Sequence, residues 1–343
     1  MDRRWVQRLI EEEKLPALLL LVAATSGLLY ANAFGGRVPH FDAVLLVFFF
    51  VAGLELRHEL THGALTEVRT ALVPAFAAAF GMLVPASLYL ALSPGAASAA
   101  WGVPMATDLP LALALLAVFG RGLPLDFRAF ILTLAIVDDV LSIIVVAVRF
   151  GGSVSVGWLL VVALLVAGYA RASSPVIRFI CAAVSIWAMF NTGVHVTVLG
   201  VGLGLATSRN VDATRDRWQP VSAYFAVPVY IFSALAVPVS AINGPLSTAI
   251  TIARVIGKPT GILLGAAFAI ALLRPSKRLP WSSYLAAGVV AGVGFSVSML
   301  FAELSLSGNL LTEAKLAVLI ALVVSVITAA TVLRTMRRLP IGG

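Results

Sequence analysis

Charge and cysteine are what this chain has little of. Only 12% of its 343 residues are Asp, Glu, Lys or Arg, where a soluble domain carries about a quarter. With 60% hydrophobic residues, it cannot leave most of its surface in water, and no soluble domain is visible. The one cysteine, Cys181, excludes an internal disulfide. Histidines are few as well: His40, His58, His62 and His195. The net charge of +8 would suit a nucleic acid, but the placement of the charges argues for a membrane, and no nucleic-acid partner is expected.

What is abundant is apolar sequence in runs of about 20 residues, long enough for helices to cross a hydrocarbon core of ~30 Å. Such helices satisfy their own backbone hydrogen bonds, as lipid demands. Twelve segments are predicted, at 15–33, 40–60, 70–93, 97–119, 126–148, 154–170, 175–190, 192–207, 220–240, 245–273, 281–306 and 315–333. Turn residues separate them, among them Ser93-Pro94-Gly95, Gly151-Gly152, Asn243-Gly244-Pro245 and Arg274-Pro275. The expected fold class is therefore an all-α membrane protein of about 12 transmembrane helices, forming one integral-membrane domain over 1–343. Residues 1–14 read as an interfacial helix, with Trp5, Leu9 and Ile10 on its apolar side. Ala31-Asn32-Ala33 imitates a signal-peptide cleavage site, but a retained first helix is the preferred reading.

The basic residues test this division. Placed on twelve segments, nineteen of the 24 Lys and Arg fall at one set of ends and three (Arg37, Arg149 and Lys315) at the other. Arg254 and Lys258 remain within a segment. By the positive-inside rule the richer side is cytoplasmic, which puts both termini in the cytoplasm. The location expected is a bacterial inner membrane, crossed many times.

Ionisable groups at mid-membrane are expensive and usually functional. Asp108, Asp138, Asp139 and Lys258 are the candidates. Counting from the segment ends at 1.5 Å per residue, Asp108, Asp138 and Lys258 each fall roughly 16–20 Å deep, near the bilayer midplane. One reading is that they only pair with one another and hold the bundle together. The other is functional. Sodium seeks oxygen ligands, and a buried carboxylate that can hold either a proton or a metal ion is an exchange site. Asp138 and Asp139 are adjacent, so on a helix their side chains diverge by about 100°. One faces an ion while the other faces a neighbouring helix such as the tenth.

Two segments look interrupted. In the fourth, Pro104 and Pro110 bracket Thr107-Asp108; in the eleventh, Gly288, Gly292 and Gly294 loosen the helix, with Ser296 and Ser298 beyond. Paired interruptions in corresponding halves point to an ion site. The halves would be segments three to five and ten to twelve, 70–148 and 245–333, running in opposite senses as inverted repeats. Asp108 would compensate N-terminal half-helix ends and Lys258 C-terminal ones.

At these residues the sequence resembles the NhaA-type sodium/proton antiporter family. The matching stretches are Phe48–Leu60, Pro104–Leu113, Leu134–Ser142, Gly193–Gly200, Ile256–Gly261 and Ala291–Met299, in order along nearly the whole chain. Each is weak alone; the ordered set is specific. The resemblance implies a core bundle moving against a domain of interface or dimerisation helices. It implies Asp138 and Asp139 as the central sodium- and proton-binding pair, with Thr107 and Asp108, where the broken helices cross, in the same ion-binding set. It implies that Lys258 balances that crossing and bridges to Asp138 when sodium is absent. Glu55 and Glu59 would line a cytoplasmic funnel and Asp42 would mark the outer end of segment two. It further implies electrogenic exchange of cytoplasmic Na+ (or Li+) for external H+, sodium and pH homeostasis, a homodimer, no cofactor and no enzymatic reaction.

The chain also departs from the family. Phe232–Val237 lacks the family's Asn and Gly in segment nine, and Arg215–Gln219 replaces residues linked to pH response. Arg254, one turn from Lys258, is a second buried cation that needs a partner, and Glu303 is the expected one. His195 reads as a packing histidine more than a proton relay, although a regulatory part stays open for His195, Arg254 and Glu303. A sodium-coupled symporter of an organic substrate is the alternative transporter. Membrane enzymes fit less well: there is no Gly-x-Gly-Asp stretch, and the paired aspartates lie too deep for a magnesium-dependent prenyl transferase.

Overall fold

The computed structural model describes residues 14–35, 38, 42–62, 68–93, 95–120, 123–151, 154–208, 210–239, 244–275 and 278–338. Residues 1–13, His40 and the side chains of Asp42 and His62 lie outside the described residues. Regular structure among the described residues is entirely helical. The helices are α1 (Lys14–Phe34), α2 (Leu45–His62), α3 (Val68–Leu92), α4 (Leu109–Phe119), α5 (Leu125–Arg149), α6 (Val156–Arg171), α7 (Pro175–Met189), α8 (Val196–Ala206), α9 (Val211–Val221), α10 (Val227–Ala234), α11 (Pro245–Ile252), α12 (Lys258–Leu273), α13 (Trp281–Ala291), α14 (Ser296–Ser305) and α15 (Gly308–Arg338).

Among the described residues, five helical stretches are long and apolar enough to cross a membrane: Leu15–Phe34, Ala71–Leu92, Leu125–Arg149, Pro245–Leu273 and Gly308–Met336. The bent pair α13 and α14 makes a sixth if counted as one span, and α4, α6, α7 and α8 are shorter apolar helices. Many large apolar side chains point outward, among them Leu29, Val148, Leu164, Phe179 and Phe225, an arrangement suited to lipid rather than water.

Two proline-driven irregularities shape the later helices. π-Helical turns occupy Ser222–Ala226 and Ala253–Gly257, and each is followed by a proline at the same spacing, Pro228 and Pro259. Proline has no N–H, and its ring clashes with the carbonyl four residues back, here that of Tyr224 or Val255. A widened turn relieves the clash without ending the helix. Sequence periodicity gave no warning of α9, a polar helix between two apolar segments, nor of the ninth segment's helix ending at Ala234.

The chain divides into two compact units. The first takes the residues up to Val38, 64–139 and 231 onward. Within it α12 lies along α3, close enough that a Cβ at Gly261 or Gly265 would strike the backbone of Phe80 or Phe76. This Gly-x-x-x-Gly spacing lets two membrane helices approach closely. The same unit packs α13 against α12, and α11 against α15. The second unit takes 39–63 and 140–230. In it α2 packs along α8 and α6 pairs with α7, with Trp158 edge-on to Trp187 at 5.3 Å. Val162, Ala188, Met189, Leu199 and Leu203 form an apolar cluster there.

Candidate ion site

The site is built on two breaks in the first unit. Residues 101–108 follow a short 3-10 helix, Gly95–Ala100, as turn and extended chain, and α4 begins only at Leu109. The reason is local: Gly102 and Pro104 disfavour helix, and Pro110 suits the first turn of a new one. The second break, residues 292–295, separates α13 from α14, whose directions differ by 56°. The two broken segments satisfy one another. Asp108 donates its N–H to the Val293 carbonyl at 3.0 Å, and the Thr107 hydroxyl donates to the Ala291 carbonyl, at the end of α13, at 2.8 Å. At Gly294 a Cβ would collide with the Ala106 carbonyl oxygen, so the two chains meet backbone to backbone.

Charge is distributed over this crossing by sign. Asp108 is the N-cap of α4, its Oδ1 accepting from the Leu111 N–H at 3.4 Å. Its Oδ2 accepts from the Ser296 N–H at 3.0 Å and the Ser296 hydroxyl at 2.7 Å. One carboxylate therefore faces the positive ends of two helices, α4 and α14. The cations face carbonyls. Lys258 donates to the Met105 carbonyl and to Asp138 Oδ1, the latter at 2.8 Å. Arg254 donates to the carbonyls of Val103 and Gly294 and to Ser298 Oγ, each at 2.5 Å.

Asp138 is wholly buried. Its Oδ1 belongs to the Lys258 ion pair and its Oδ2 accepts from the Thr107 N–H at 3.0 Å. Asp139, next on α5, retains 8% exposure and interacts electrostatically with Lys258. Four of the expected residues, Thr107, Asp108, Asp138 and Lys258, thus share one hydrogen-bonded network, with Asp139 beside it. Asp108 is engaged in capping rather than turned toward Asp138. Among the described residues no three His, Cys, Asp or Glu side chains gather as a metal centre would. What the network offers is a displaceable cation: an ammonium holds a buried carboxylate that an oxygen-seeking ion could take instead.

The remaining expected residues lie elsewhere. Glu55 and Glu59 sit on α2 in the second unit, where Glu59 is buried and Glu55 is within electrostatic reach of Arg215 on α9. On the same helices His58 pairs with Asp212 at 2.7 Å. His195 is the N-cap of α8, with Nδ1 at 2.8 Å from the Thr197 hydroxyl, a local structural role. The Arg254–Glu303 pairing expected from sequence is not formed. Glu303 pairs with Lys315 at 2.6 Å, and Arg254 is taken up by carbonyls and Ser298. The residues that sequence reasoning missed are Ser296 and Ser298 as partners of Asp108 and Arg254, and Lys315 as a buried cation. Their only signal was position, two serines directly after a glycine-loosened break.

Two broken helical segments, with a buried carboxylate at the helix starts and buried cations on the carbonyls of the breaks, have the design of a membrane ion transporter. Residues 39–333 match the family described as Na+/H+ antiporter 1, and the chain belongs to that family. It is 37% identical to the Na(+)/H(+) antiporter NhaA 1 of Saccharopolyspora erythraea, over 94% of this chain and 90% of that one. It is 39% identical to the Na(+)/H(+) antiporter NhaA of Frankia casuarinae, over 87% of this chain and 74% of that one. Among solved structures, the sodium proton antiporter MjNhaP1 from Methanocaldococcus jannaschii has a similar fold. The TM-score is 0.59 at 14% identity, over 99% of this chain and 98% of that one.

Proposed function

We propose that this chain is a secondary antiporter exchanging cytoplasmic Na+ (or Li+) for external H+ across a bacterial inner membrane, electrogenically, in sodium and pH homeostasis. The observation that carries the reading is Asp138, buried between the Lys258 ammonium and the Thr107 N–H and adjacent in sequence to the slightly exposed Asp139. Without sodium, Lys258 holds Asp138. A sodium ion arriving at deprotonated Asp139 competes with the ammonium for carboxylate oxygen, and Asp138 turns to the ion. Thr107 stays beside it because its hydroxyl is anchored to the end of α13. Asp108, with its oxygens engaged at two helix starts, balances the crossing and does not ligate the ion. After the site opens outward, two protons displace sodium and the Lys258 bridge reforms. One is taken by Asp139 and one by the Lys258 amine, which shed a proton to the cytoplasmic side when sodium parted it from Asp138. Glu55 and Glu59 attract cations at the cytoplasmic entry, and Asp42 does so at the outer end.

The same reading places twelve crossings in the bilayer, both termini in the cytoplasm and an inverted-repeat core over 70–148 and 245–333. The remaining helices then form the interface of a homodimer. Family membership and the broken-helix geometry support it. The test is sodium-driven dequenching of a pH-sensitive dye in everted vesicles. The native chain should dequench on addition of Na+ or Li+. Asp139→Asn should abolish the response and Asp138→Asn should reduce it severely. Full response in either variant, at equal expression, refutes the assignment.

A further inference from the structure

Arg254 is not used by the exchange scheme above. It is completely buried, and among the described residues no carboxylate forms an ion pair with it. Burying a charge without an ion-pair partner is costly unless its environment is built to receive it. The environment is so built. The guanidinium reaches one carbonyl in each broken segment, Val103 before Thr107-Asp108 and Gly294 between α13 and α14. A third bond reaches Ser298, two residues on from the Ser296 that donates to Asp108. Its charge also attracts Asp108 across the crossing. A planar fork suits several fixed acceptors in a way that a point-charge ammonium does not. The π-helical turn Ala253–Gly257, which Pro259 imposes, sets the register from which Arg254 and Lys258 both reach the crossing.

We infer that Arg254 is a positioning residue that clamps the two broken segments together, so that Lys258 can release Asp138 without the crossing losing its cation. Two buried cations divide a task. Arg254 holds Val103, Gly294 and Ser298, and Lys258 holds the displaceable carboxylate. The clamp keeps Thr107 and Asp108 in register with Asp138, so its loss acts on ion binding at a distance. This inference rests on the exchange reading.

The experiment measures Na+-dependent exchange in everted vesicles for Arg254→Gln, Arg254→Lys and Ser298→Ala, together with thermal melts of each purified protein. A misplacement of about 1 Å caused by a change far from the reacting groups can cost roughly 100-fold in rate, and a smaller shift of the crossing costs correspondingly less. Arg254→Gln should therefore raise the apparent KM for Na+ about tenfold, with a smaller fall in maximal rate. Arg254→Lys should lie between, and Ser298→Ala, which strands no charge, should raise KM about threefold. In the melts, Ser298→Ala should lower Tm in the native background and not in Arg254→Gln. Native KM in all three variants overturns the inference, as does a drop in Tm without any change in KM, which would mark a purely structural arginine. If the Arg254 variants do not accumulate in the membrane, an unchanged KM in Ser298→Ala overturns it alone. If the native chain shows no exchange, it is the antiport reading that fails, and the Arg254–Ser298 coupling in the melts still decides whether the clamp exists.

Discussion

Replacing Asp108 separates the part of the site that holds the crossing together from the part that carries ions. Its carboxylate accepts three hydrogen bonds, from the Leu111 N–H at 3.4 Å, the Ser296 N–H at 3.0 Å and the Ser296 hydroxyl at 2.7 Å. Asp108→Ala removes the N-cap of α4, about 1 kcal/mol. It also removes two charge-assisted bonds to Ser296, about 1.5–3 kcal/mol each when one partner is ionised. Because buried donors are left unpaired and the longer-range attraction between Asp108 and Arg254 is lost, a net loss of roughly 4 kcal/mol is expected. Asp108→Asn keeps a carbonyl oxygen for Ser296, and its amide nitrogen opposes only the Leu111 N–H, the longest of the three contacts. Its loss is therefore about half as large. At roughly 2–3 °C per kcal/mol, the low range that large chains show, apparent Tm should fall on the order of 10 °C for Ala and 5 °C for Asn. The assay is a thermal melt of detergent-purified protein followed by size-exclusion chromatography. An Asp108→Ala protein melting with the native one, or an Asn variant less stable than Ala, would refute the capping argument.

Other consequences follow from close contacts and from the second buried ion pair. Gly294→Ala places a methyl against the Ala106 carbonyl, with backbone on both sides, so it should lower stability by about 1–3 kcal/mol and weaken sodium binding, measured as apparent KM. Gly202→Ala, with nothing within 4 Å of its new methyl, should leave both unchanged or raise stability slightly, about 0.5–1 kcal/mol. Removing one member of the Lys315–Glu303 pair (2.6 Å, nearly buried), as in Lys315→Met, should cost about 3–5 kcal/mol, while Lys315→Met with Glu303→Leu should be nearly neutral. A Tm cycle over the four proteins checks this, and additive losses would contradict it.

The charged residues of the site were legible because membrane burial makes an ionisable side chain conspicuous. Asp108, Asp138 and Lys258 stand in apolar runs, and helix rise alone sets them at one depth. The breaks were legible from Pro104, Pro110, Gly292 and Gly294, and the place of Asp108 at helix starts followed from helix dipoles, whereas Lys258 reaches a turn carbonyl, that of Met105, and not a helix end. Arg254 stood out for the same reason as Lys258, yet its partner was misjudged. Sequence shows carboxylates and hides backbone carbonyls, so the search settled on Glu303 when the true acceptors were Val103 and Gly294. Lys315 was counted among solvent-facing end charges because its apolar setting comes from packing, not from its neighbours in the chain. The π-helical turns were written in the sequence as Val227-Pro228 and Lys258-Pro259, but proline alone does not distinguish a kink, a stop and a widened turn. Helix α9 escaped notice because a polar stretch reads equally well as a loop.

The central claim is that sodium and protons compete for the Asp138–Asp139 pair, and proton release measures this without any membrane. Sodium chloride is added to purified native protein in weakly buffered solution, with choline chloride as the ionic-strength control, and the pH is recorded. The account predicts that sodium acidifies the medium in proportion to the protein present, that choline does not, and that Asp139→Asn is silent. Sodium binding, detected calorimetrically, with no proton released near neutral pH would contradict it.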